Sequence, residues 1–89
     1  MSGHFNARII LLGAKLTDDG IKLTVFHSQL RNVGGDWDES KAIGAYRDYN
    51  ALFMVTVYGD GSWAACQVVI TPTYKVTTRE IEGGFDPIH

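Results

Sequence analysis

The chain is poor in cysteine and proline, with one of the first and two of the second in 89 residues. A lone Cys66 excludes an intrachain disulfide framework. Secreted domains of this size commonly need such staples, so the chain reads as suited to a reducing, cytosolic compartment. With only Pro72 and Pro87, most breaks in regular structure have to come from glycine and aspartate. An excess of one charge is missing too. A formal net charge of −2 gives neither the basic footprint of a phosphate-backbone binder nor the acidity of a nucleic-acid mimic. The apolar run Ile9 to Ala14 falls far short of the ~20 residues of a membrane span, and no small-residue cleavage site follows it. No membrane segment and no leader are therefore expected.

The motifs that announce chemistry are also missing. No phosphate-binding glycine loop and no Gly-x-Ser-x-Gly elbow occurs. His4, His27 and His89 are far apart and share no metal-ligand spacing. A Cys66 nucleophile with His27 as base needs a thiol in an electropositive, partly exposed setting. Alternation instead puts Cys66 between Ala64 and Val68 on an apolar strand face, the place of a structural cysteine. The acids Asp36, Asp38 and Glu39 follow Gly34-Gly35 and are candidates for Mg²⁺ or Ca²⁺, but the EF-hand spacing is absent. Acids gather at helix starts for stability alone, and that reading is preferred. No catalytic residue, metal or cofactor is expected, and the balance tips away from an enzyme.

What is present is enough apolar material for one domain: 45% of residues are hydrophobic, which excludes a disordered chain at this low net charge. Two hairpins stand out. Ile9 to Leu16 and Ile21 to Leu30 flank Thr17-Asp18-Asp19-Gly20. An even-length loop there puts Leu12, Ala14 and Leu16 on the face of Ile21, Leu23 and Val25, whereas an odd one puts Leu16 beside Lys22. His27 extends that face, and Phe26 falls on the polar side with Lys22, Thr24 and Ser28. The second hairpin turns at Gly59-Asp60-Gly61-Ser62. A two-residue Asp60-Gly61 turn sets Tyr58 opposite Trp63. Phe53, Val55, Val57, Ala64, Cys66, Val68 and Ile70 then share an apolar core face, opposite Met54, Thr56, Tyr58, Trp63, Ala65 and Gln67.

Thr71-Pro72-Thr73 breaks the chain before an edge strand from about Tyr74 to Glu82. In the middle, Asn32-Val33-Gly34-Gly35 reads as a loop. Asp36 reads as an N-cap with Glu39 three residues on, and Ala42, Ala45, Tyr46 and Tyr49 recur at helical spacing, predicting a helix over about 37–49. The expected fold is α+β, a mainly antiparallel sheet of about five strands with one helix in the order β-β-α-β-β-β. A small barrel closed by the helix is the alternative. Residues 1–89 form a single domain with an ordered core over about 6–83.

Aromatic side chains are the surface feature that remains. Phe26, Tyr58 and Trp63 are expected on the sheet face away from the core, where aromatics serve as interface anchors. The leading reading is a small non-enzymatic protein-interaction domain, an adaptor or inhibitor, whose partner is another protein or a second copy of itself. The alternative is a small-molecule or nucleotide-binding domain with Asp36, Asp38, Tyr46, Arg47 and Tyr49 lining a pocket between helix and sheet. Single-stranded nucleic acid is the weakest reading, since only Arg8, Lys15, Lys22 and Arg79 supply charge near the aromatics.

Overall fold

The computed structural model describes residues 6–32 and 37–81. Its elements are β1 (Asn6–Thr17), β2 (Gly20–Asn32), α1 (Glu39–Ala45), a 3₁₀ turn (Tyr46–Asp48), β3 (Ala51–Val57), β4 (Trp63–Ile70) and β5 (Val76–Glu80). The strands form one antiparallel sheet in the spatial order β2-β1-β3-β4-β5. The α+β reading therefore holds, and the sheet is open, so the barrel alternative is excluded. As expected, β5 is an edge strand, short and largely exposed. Of the loop expected over Asn32 to Gly35, Asn32 is the last residue of β2, and the rest, together with Glu82 and the tail, lies outside the described residues.

The first hairpin has the even-loop parity that its alternation demands. Thr17 pairs with Gly20, Leu16 with Ile21, Ala14 with Leu23 and Leu12 with Val25, leaving Asp18-Asp19 as the turn. Beyond Val25 the simple parity fails. Leu11 pairs with His27 while Leu12 pairs with Val25, so Phe26 is an extra residue, a β-bulge. The bulge moves His27 off the Leu23–Val25 face, while Phe26 keeps the side of Lys22 and Thr24, which is the helix side, and stacks on Tyr49 at 5.5 Å.

The second hairpin corrects the expected register by one residue. Val57, and not Tyr58, stands opposite Trp63. The Tyr58 N–H donates to the Ser62 carbonyl at 2.8 Å and the Gly61 N–H to the Tyr58 carbonyl at 3.0 Å. These bonds close a three-residue loop, Gly59-Asp60-Gly61, with Gly61 at φ +90°. Such a loop is a type I turn followed by one left-handed residue, for which glycine is the natural occupant. Every β4 side chain changes face as a result. Leu52, Met54, Ala64, Cys66, Val68 and Ile70 now share a face, while Phe53, Val55 and Val57 go with Trp63, Ala65 and Gln67. The β4–β5 loop repeats the pattern: Thr71 bonds Tyr74 and Lys75, and Tyr74 takes the left-handed position at φ +62°. A tyrosine there carries backbone strain that a glycine would not.

The helix is shorter than its spacing predicts. Asp38 is the N-cap, and its carboxylate accepts from the Ser40 N–H at 3.1 Å. The predicted cap, Asp36, lies outside the described residues. After Ala45 the chain tightens into the 3₁₀ turn, and Tyr49 is already extended. Ala42 is fully buried against Leu52 and Val68, with Trp37, Tyr46, Met54, Ile70 and Val76 packed around them. Tyr49 locks this strap to the sheet. Its ring lies so close over Gly13 that a Cβ added there would come within 2.3 Å of it.

Substituting Gly13→Ala is expected to cost ~1–3 kcal/mol by overpacking against the Tyr49 ring. The melting temperature then falls by roughly 5–20 °C in a domain of this size. A thermal melt of G13A within a degree of the parent would contradict this account of the strap.

Candidate functional site

The strand alternation that builds the core also fixes what remains outside it. On the face away from α1, Leu12, Ala14 and Val55 are buried, yet the outer end of the β1–β2 hairpin is not. Leu16 is 69% exposed, Ile21 72%, Leu23 40% and Val25 56%. These four side chains are neighbours, because the register sets Leu16 beside Ile21 and places the Ala14–Leu23 and Leu12–Val25 pairs next in line. Leu16, Ile21 and Leu23, with Ala14, Ala51 and Phe53, border a shallow apolar groove of about 530 Å³. Asn50 anchors its floor. The Asn50 N–H donates to the Ala14 carbonyl at 2.8 Å, and its Oδ1 accepts from the Leu16 N–H at 2.7 Å. The projecting hairpin is thus tied down beside the start of β3.

The three predicted anchors do not share a face. Trp63 lies on the face of the groove, opposite Val57. Tyr58 is exposed just before the β3–β4 loop, where the alternation of β3 aims it to the other side. Phe26 is half-buried against Tyr49 under the helical strap. The register shift alone separates Trp63 from the other two. The residues missed as a surface are Leu16, Ile21, Leu23 and Val25, although their alternation puts them on one face.

The predicted pocket residues are brought together in part. Asp36 is outside the described residues, and Asp38 is occupied as the helix cap. The Ser40 hydroxyl and N–H, both bonded to the Asp38 carboxylate, hold its pKa below the usual range. Its N–H donates to Gln29 Oε1, which also meets His27 Nε2 at 3.0 Å. Arg47 donates from Nε to the Tyr46 hydroxyl at 3.1 Å and from Nη2 to the Tyr74 hydroxyl at 2.8 Å. The Tyr46 and Tyr74 rings meet edge to face at 6.1 Å. The bond from Arg47 lowers the Tyr46 pKa, and the phenol in turn raises that of Arg47. Tyr74, expected inside a strand, is therefore part of a latch between the β4–β5 loop and the 3₁₀ turn. The adjoining cleft, lined by Tyr46, Tyr49, Leu52, Val68 and Ile70 among others, measures about 200 Å³.

No activated thiol is formed. Cys66 is half-buried on the helix side, and burial pushes its pKa up. His27 sits on β2, three strands away in the sheet, or ~14 Å at the usual spacing. Among the described residues no group of three or more His, Cys, Asp or Glu is placed to hold a metal ion. None of their helices is long and apolar enough to cross a membrane. No protein-family model, no curated protein and no solved structure matches the chain. Fold and site together define an open α+β sheet, helix-strapped on one face and exposing an apolar hairpin on the other.

The lowered Asp38 pKa carries a pH signature. Its ionised form is favoured by the fold, so the stabilisation is present above the ordinary carboxylate range and lost as pH falls through the lowered value. Asp38→Ala is expected to melt below the parent at pH 7, with the gap closing toward about pH 2. A gap independent of pH would contradict the capping role.

Proposed function

We propose that this chain is a non-enzymatic protein-interaction domain of the cytosol, an adaptor or inhibitor that acts by surface binding. One observation carries the reading: the contiguous exposure of Leu16, Ile21, Leu23 and Val25 on a hairpin tied down by Asn50. Together these four side chains leave on the order of 450 Å² exposed, more than half of the ~800 Å² that each partner contributes to a standard interface. At ~25 cal/mol per Å² that is roughly 10 kcal/mol of gross apolar burial, from which the costs of association are subtracted.

Other readings find less support. The 200 Å³ cleft beside Tyr46 is smaller than the ~300–1,000 Å³ of ordinary ligand pockets, and the Arg47 guanidinium already donates to two tyrosines. The candidate bases for nucleic acid are divided between faces. Lys15 and Lys22 pair on the helix side, whereas Arg8 and Arg79 follow the alternation of the other side.

A photo-crosslinking residue at Ile21 tests the proposal in producing cells. One discrete protein adduct is expected, absent when the probe sits at Thr78 on β5 and lost when Leu16→Asp is added. No adduct from Ile21, Leu23 or Val25 would overturn it.

A further inference from the structure

We infer that the occupant of the exposed hairpin face is a second copy of this chain, packed face to face with its strands antiparallel to the first. This rests on the interaction reading above and names its partner.

Two observations carry the inference. The first is area. Leu16, Ile21, Leu23 and Val25 lie at one end of their face, and Leu30, 67% exposed opposite Arg8, and Trp63, 37% exposed opposite Val57, lie at the other. These six expose roughly 700 Å² per chain, close to the ~800 Å² per partner of a stable interface. A two-fold axis through such a patch buries it against itself with no other partner required.

The second is charge at the two ends of the hairpin. Its turn is acidic, Asp18-Asp19, and its far end on this face carries Arg8, whose Nη1 donates to Ser28 at 2.8 Å. Gly13 lies midway, with Arg8 and Asp18 each five residues from it, or ~17 Å along the strand. A two-fold axis crossing the strands at that level, between the Leu12–Val25 and Ala14–Leu23 pairs, sets Asp18 of each copy over Arg8 of the other. The alternative axis, along the strands, sets the Asp18-Asp19 turns together, where like charges repel. The apolar area supplies the affinity, and the charges select the orientation.

Edge-to-edge pairing is less well served. The Phe26 bulge breaks the β2 edge, and β5 is a five-residue edge bearing Arg79 and Glu80.

The test is sedimentation of the purified chain at about 100 µM, with the dissociation constant measured by dilution. The expected mass is twice 9.8 kDa. Ile21→Asp is expected to weaken the dimer by about a hundredfold or more with unchanged circular dichroism. Asp18→Lys weakens it by up to about tenfold, since an exposed pair is lost twice, and adding Arg8→Asp restores it. A monomer at 100 µM, a dimer that survives Ile21→Asp, or a failure of the double reversal to restore would each overturn the inference. If the purified chain is monomeric while the Ile21 crosslink joins a different protein, the interaction reading stands and only the self-pairing falls. If no crosslink forms, both fall.

Discussion

The Tyr49 ring seated on Gly13 is the contact on which the rest of the molecule depends. It commits the only helix of the described residues to one side of the sheet, and Phe26 stacking on the same ring holds β2 in line with it. A helix of seven residues is ~10 Å long, whereas the twelve-residue β1 runs ~40 Å. The strap packs over Leu52 and Val68 on one face of the sheet, and no described helix covers the other. The exposed leucines, isoleucine and valine lie on that second face.

Polar contacts reinforce the one-sided design. Arg47 ties the 3₁₀ turn to Tyr74, and Asn50 ties the chain leaving that turn to the end of β1. Tyr74 holds a left-handed backbone that a glycine adopts freely in the matching loop at Gly61. Its hydroxyl and ring contacts with Arg47 and Tyr46 offset that strain. The Asp38 N–H on Gln29 Oε1 holds its other end, so the strap is fastened at both ends and the apolar hairpin projects from a fixed base.

Much of this fold was legible in the residues. The order β-β-α-β-β-β, the antiparallel sheet and the shared face of Leu16 and Ile21 follow from alternation and turn chemistry, because a slip in that hairpin sets a lysine against a leucine, whereas open sheet and closed barrel were left undecided. The second hairpin offered no such penalty. Both faces of β4 are largely apolar, so parity could not distinguish a two-residue Asp60-Gly61 turn from a three-residue loop with Gly61 left-handed. The Phe26 bulge left no mark in the alternation either, because it exists to meet Tyr49, a long-range contact. The register shift moved Trp63 away from the side that Phe26 and Tyr58 keep. The apolar surface of Leu16, Ile21, Leu23 and Val25 is visible as a pattern, and what marks it as open is the number of helices: a single helix covers only one face of a sheet.

The Leu16, Ile21, Leu23 and Val25 side chains stand open in the single chain. Solvent paramagnetic relaxation of the methyl resonances, followed across a dilution series, tests this exposure directly. In the dilute chain these four residues should relax strongly with a soluble paramagnetic agent while Ile9 and Leu11 stay protected, and the contrast should fade as concentration rises. Methyls at Leu16 and Ile21 as protected as Ile9 at every dilution would place that face inside the chain's own core and contradict the account.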